Sequence, residues 1–189
     1  MATKIKDLIE LKEGSISVKD RGSLRNMMDS LIYNAVFEND EEKRKALFLL
    51  IKEIAKACGA VPCSIQGLYE EIGRNYHGFT VPAMNIRGLA YDAAKTVFRK
   101  VLEMNVGAFI FEIARSEIGY TKQRPLEYVT VILAAAVTEG FEGPVFIQGD
   151  HFQLVRKHFL SDPDAETKYI RNLIEEAIEA EFYNIDNDS

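Results

Sequence analysis

From His77 onward, short hydrophobic stretches of strand length alternate with longer stretches of helical periodicity, and this alternation restricts the possible folds more than any other feature of the chain. The candidate strands are 80–85, 107–113, 144–150 and 182–186, separated by helical segments at about 88–104, 125–139 and 163–180. The last helix is the clearest. Asp162 can cap it, Pro163 suits its first position, and Ile170, Leu173, Ile174, Ala177 and Ile178 form one apolar stripe. Strands joined by helices of this length form βαβ units and predict an α/β fold with a parallel sheet.

Side chains alternate along a strand, so each candidate strand divides into two faces. Val81, Ala83 and Asn85 share one face, as do Ala108, Ile110 and Glu112, then Phe146, Gln148 and Asp150, and finally Asn184 and Asp186. Each of these faces becomes polar at its C-terminal end. The opposite faces carry Phe109, Phe111, Val145, Ile147 and Ile185 and suit burial under helices. Burying Glu112, Asp150 or Asp186 without a partner would cost roughly several kcal/mol, so these residues are expected to line a wet or metal-bearing site. Gln148 and Asn184, taken singly, read as satisfied structural hydrogen-bonders. Active sites of parallel α/β folds sit at the C-terminal strand ends. The stretch Asn85-Ile86-Arg87-Gly88 holds a single glycine, which is not a dinucleotide fingerprint and favours a barrel over a doubly wound sheet.

The first 76 residues read as a helical extension. Leu24, Met27, Met28, Leu31, Ile32, Ala35 and Val36 fall on one helical face, with Ser23 as the expected cap. A second helix starts near Asp40, carries Glu41 and Glu42 in its first turn and ends at Gly59. A third, short one stops at Gly73. Cys58 and Cys63 are too few for a disulfide framework and read as reduced thiols near a helix end. A net charge of -6 with no basic block argues against nucleic acid as a partner. No apolar run approaches the roughly 18 residues that span a bilayer, and the N-terminus lacks a signal-like apolar core. A cytoplasmic protein without a membrane partner is the expectation.

Three motifs resemble those of the class II, zinc-dependent fructose-bisphosphate and tagatose-bisphosphate aldolases. Val81-Pro82-Ala83-Met84-Asn85 is similar to their first-strand motif, Gln148-Gly149-Asp150-His151 to the third-strand Asp-His motif, and Tyr183-Asn184-Ile185-Asp186 to the fourth-strand segment. Glu112 followed by Gly119-Tyr120-Thr121 and Pro125 resembles the tagatose-bisphosphate branch, which includes a subunit usually described as non-catalytic. The resemblance implies a partial (β/α)8 barrel over 77–189, comprising the first four parallel strands, behind the helical extension 1–76.

It also implies metal-assisted, reversible aldol cleavage of a ketose bisphosphate to dihydroxyacetone phosphate and an aldehyde phosphate, a reaction of carbohydrate metabolism and glycolysis. On that reading His151 is a zinc ligand and Asp150 the acid/base, while Asn85, Glu112 and Asp186 contact substrate. The family draws its other histidine ligands from later strands. Here the remaining histidines are His77, before the first strand, and His158, after the third. Glu181 stands where a glycine is usual, and Asn187 interrupts the fourth-strand run. The chain stops at Asp188-Ser189 after its fourth strand, so the expectation is a half-site that turns over only with later strands supplied. A homo-oligomer or a partner chain would then cover the open barrel. The alternatives are a non-catalytic subunit or partner of a tagatose-bisphosphate aldolase, and a plain interaction protein.

Overall fold

Aspartates mark three helix starts. Asp20, Asp40 and Asp162 each accept a hydrogen bond at 3.0 Å from the N–H three residues on, satisfying an amide that the first helical turn leaves without a partner. Asp162 is the expected cap. Ser23, expected to cap its own helix, lies inside the first turn and donates its hydroxyl to Asp20 at 2.6 Å. An aspartate three residues upstream competes better for the position because its carboxylate accepts from both the Ser23 amide and hydroxyl.

The structure, a computed structural model, describes residues 2–12, 14–75 and 77–187; the expected chain end at Asp188-Ser189 lies outside them. In chain order come α1 (Ala2–Leu8), β1 (Ile9–Lys12), β2 (Ser15–Val18), α2 (Arg21–Val36), α3 (Glu41–Ala57), β3 (Ala60–Cys63) and α4 (Gln66–Arg74). There follow β4 (Ala83–Asn85), α5 (Ala90–Met104), β5 (Ile110–Ala114), α6 (Arg115–Thr121) and α7 (Pro125–Glu139). The chain continues through β6 (Gly143–Asp150), α8 (Arg156–Ser161), α9 (Pro163–Glu179) and β7 (Asn184–Ile185). No helix among the described residues is long and apolar enough to cross a membrane.

The N-terminal segment is not purely helical. β1 and β2 form an antiparallel hairpin, and β3 follows Gly59, whose φ of +92° ends α3. Strands of four residues are too short to separate from helix by periodicity. Both cysteines at this helix end are free thiols. The fold is α/β with a parallel sheet. β4 pairs with β5, β5 with β6 and β6 with β7, all parallel. The sheet holds one strand more than expected, since β3 also lies beside β6.

Two compact units interleave along the sequence. The first comprises Met1–Val61, Leu89–Gly107 and Thr130–Val145. Its core takes Leu24, Met28, Leu31 and Ile32 from α2, Ile51 and Ile54 from α3, and Phe98 from α5, all buried. The Phe98 and Phe141 rings meet at 4.9 Å. The second comprises Pro62–Gly88, Ala108–Val129 and Phe146–Ser189. It contains β4, β5, β7 and β6 from Phe146 onward. Phe111, Ile113 and Ile147 are buried on the apolar sheet face, while Tyr128 donates its hydroxyl to the Glu112 carbonyl at 2.8 Å.

Phe98→Ala removes a fully buried ring from the first unit and is expected to cost about 3–5 kcal/mol. The check is a urea unfolding curve whose midpoint falls while its slope is retained.

Candidate metal-binding site

The site begins where β6 ends. In a regular strand Asp150 and His151 would point to opposite faces, but the backbone turns after Asp150 and His151 adopts φ +47°. A side chain in this left-handed region costs about 1–2 kcal/mol, and the following residues hold it there. The Phe152 N–H donates to the Asp186 carbonyl at 2.9 Å, and the Asp186 N–H donates to the Gly149 carbonyl at 2.8 Å. Phe152 is fully buried, and its ring lies so close to Gly149 that a Cβ there would sit 2.8 Å from it. The result sets the His151 Nε2 3.6 Å from Asp150 Oδ1 and its Nδ1 3.6 Å from Asp186 Oδ2. Ligand atoms of all three residues lie within 4.8 Å of one another.

Sheet register supplies the layer beneath. Asn85 is opposite Glu112, Glu112 opposite Gln148, and Gln148 opposite Asn184, so four polar residues form one row across the sheet. Glu112 is buried, and its carboxylate accepts from the Gln148 amide at 2.6 Å. Burial pushes its carboxyl pKa up, opposed by the Gln148 bond and reinforced by the charges of Asp150 and Glu117. Asn184 accepts from the Ser64 hydroxyl and the Ile65 N–H, a structural tie. Asn85 sits at the edge of the cluster, donating from Nδ2 to Asp150 Oδ2 at 2.8 Å and to Glu117 Oε2 at 3.2 Å.

The five residues singled out from the sequence thus occupy one rim, but in different situations. Asp150, His151 and Asp186 form the candidate ligand cluster, Asn85 contacts one of them, and Glu112 lies in the buried row below. His158 is exposed and 3.6 Å from Glu166. His77 is exposed in the loop before β4. Neither belongs to the cluster.

Two ion pairs at this rim escaped the sequence reading. Glu117, buried in α6, accepts from the Ala114 N–H at 2.8 Å and pairs with Arg87. Burial pushes Glu117 up, but the Ala114 N–H, the Asn85 amide and the Arg87 guanidinium outweigh it and hold the carboxyl below its usual range. Arg115 forks onto both Glu166 oxygens at 2.5 and 3.1 Å and lies over the Tyr169 ring. Arg115, Glu166 and Tyr169 line an open cavity of about 730 Å³ together with His151 and His158. The available signal was the run Arg115-Ser116-Glu117 directly after a strand, where the rim of a parallel sheet collects functional groups.

The donor set fits a divalent cation. Asp150 and Asp186 have no Lys or Arg partner among the described residues, unlike Glu117 and Glu166. Nothing in the set singles out zinc. One imidazole between two carboxylates is oxygen-rich, and such sets suit Mn²⁺ or Mg²⁺ at least as well as a metal that favours nitrogen and sulfur. No protein-family model, curated protein or solved structure matches the chain.

Gly149→Ala forces a methyl group against the Phe152 ring; a loss of about 1–3 kcal/mol in chemical denaturation is expected, partly recovered by adding Phe152→Leu. A second expectation concerns acid. Arg115 leads the interactions that hold the Glu166 carboxyl down at about 2, against an ordinary 4.5. A depressed carboxylate stabilises the fold above its unfolded value and loses that contribution as pH falls through the folded one. Wild type should therefore exceed Glu166→Gln in stability most clearly above pH 4.5, with the gap closing towards pH 2. Unfolding curves collected across that range test it.

Proposed function

We propose that this chain is a divalent-cation-dependent lyase of the class II aldolase type, acting on a ketose bisphosphate in the cytoplasm, with its parallel sheet forming the start of a (β/α)8 barrel. The observation that carries the reading is the convergence of Asp150, His151 and Asp186 at the C-terminal end of β6 and β7, with no Lys or Arg among the described residues paired with either carboxylate. The adjacency of β4, β5, β6 and β7 in chain order supports the barrel reading, as do the motifs at Asn85, Asp150 and Asp186.

In this reading His151 and Asp186 would hold the cation beside Asp150, and the cation would supply Lewis-acid polarisation of the substrate carbonyl when bound. The chain's own work is to orient and to move a proton. Asp150 Oδ2 is held by the Asn85 amide, leaving Oδ1 to take the proton of the substrate hydroxyl. As that proton leaves, the hydroxyl becomes the product aldehyde and the neighbouring C–C bond breaks, its electron pair passing to the carbonyl half, which takes a proton from solvent at that carbon to leave as dihydroxyacetone phosphate. In the synthetic direction Asp150 returns the proton. The Asn85 Oδ1 acceptor and the cavity beside His151 offer polar contacts to the rest of the ligand, above the buried Glu112.

The presence of one imidazole in the cluster favours a second reading, a cation-binding but non-catalytic partner of a tagatose-bisphosphate aldolase. Titration with Mn²⁺ should show one cation bound per chain, with Asp150→Asn and His151→Ala each weakening it at least about tenfold. Cleavage of fructose and tagatose bisphosphates, followed through release of dihydroxyacetone phosphate, separates the two. Cation-dependent turnover that is lost in Asp150→Asn supports the lyase; binding without turnover, both alone and with later barrel strands supplied, supports the partner. Absence of binding, or equal binding by the variants, rejects both.

A further inference from the structure

We propose that Glu117 is a positioning residue of this site, acting through the Asn85 amide to hold Asp150 in its orientation towards His151. The proposal rests on the cation-site reading above. Asn85 Nδ2 carries two hydrogens and spends them on two carboxylates, Asp150 Oδ2 at 2.8 Å and Glu117 Oε2 at 3.2 Å. The reversed amide would set its carbonyl oxygen against both anions, so the pair of carboxylates admits one orientation. Glu117 is itself immobile: it is buried, its Oε2 also accepts from the Ala114 N–H at 2.8 Å, and its Oε1 pairs with Arg87. The rigid end of the relay is therefore the first turn of α6, and the functional end is the Asp150 carboxylate. With Oδ2 fixed, Oδ1 is the oxygen left on the His151 side, 3.6 Å from Nε2.

The relay also sets what Asn85 offers a ligand. Both amide hydrogens are committed, so any ligand group that meets this side chain finds the Oδ1 acceptor, and a hydroxyl satisfies it. Glu117→Gln replaces one of the two carboxylates with a group that can itself donate, and the amide is then free to reverse. Outer-shell partners of this kind typically contribute about 10–100-fold to metal affinity.

The test is a double-mutant cycle on Mn²⁺ affinity, measured by titration calorimetry below the melting temperature of every variant. Glu117→Gln and Asn85→Ala are each expected to weaken binding about tenfold, and the double variant no more than the weaker single one, because both break the same relay. Glu117→Asp keeps the charge facing Arg87 but shortens the reach to Asn85, so it should show the same loss without the risk that a buried neutral side chain unfolds the protein. Unchanged affinity in Glu117→Gln or Glu117→Asp overturns the proposal and leaves the cation reading standing. Losses that multiply in the double variant, to about a hundredfold, also overturn it, since they show Glu117 acting independently of Asn85. No Mn²⁺ binding by the unmutated protein overturns the cation reading and this proposal with it.

Discussion

The candidate site depends on a reversal of the backbone at one residue. Asp150 and His151 are neighbours in sequence and would diverge in an extended strand; the left-handed conformation at His151 brings them together. That conformation persists because three contacts over-determine it. Gly149 lacks a Cβ and lets the Phe152 ring close down, Phe152 donates its N–H to the Asp186 carbonyl, and Asp186 donates back to Gly149. The same hydrogen bonds that fix the turn deliver the third residue of the cluster. Histidine also tolerates this backbone region better than β-branched residues do.

Charge balance at the rim follows from that geometry. Glu112, Glu117, Asp150, Glu166 and Asp186 gather in one unit, and like charges so placed would repel unless each found a partner. The protein answers in different ways. Glu166 and Glu117 take arginines, Glu112 takes a neutral amide and has its pKa pushed up by burial, and Asp150 and Asp186 flank an imidazole. Arginines thus pair with Glu117 and Glu166, whereas Asp150 and Asp186 have no Lys or Arg partner among the described residues, which sets the candidate cluster apart from the salt bridges beside it.

The interleaving of the two units has a simple origin. In a chain that alternates strand and helix, neighbours in space come from separated stretches of sequence, and each βαβ unit carries the chain away from one set of contacts and back to another. Thus α5 clusters with the N-terminal helices, while β4 and β5, on either side of it in sequence, belong to the sheet around the site.

Much of this was legible in the residues. Periodicity and helix signals located α3, α5, α7 and α9 within a few residues, because a stripe repeated over several turns outweighs local noise. Strand alternation assigned Asn85, Glu112, Gln148 and Asn184 to one face, and the parallel register aligns them as a row. Short elements were not legible: β1, β2, β3, α6 and α8 are too brief to show a period. Nor were the partners of Glu117 and Glu166, which lie 30 and 51 residues away in Arg87 and Arg115. The sequence by itself determined which residues share a face, since that is a property of local backbone geometry repeated every two or 3.6 residues. Only the tertiary structure decided that His151 turns back towards Asp150 and Asp186, because a left-handed residue is held in place by contacts from Phe152 and the β7 end that no local pattern encodes.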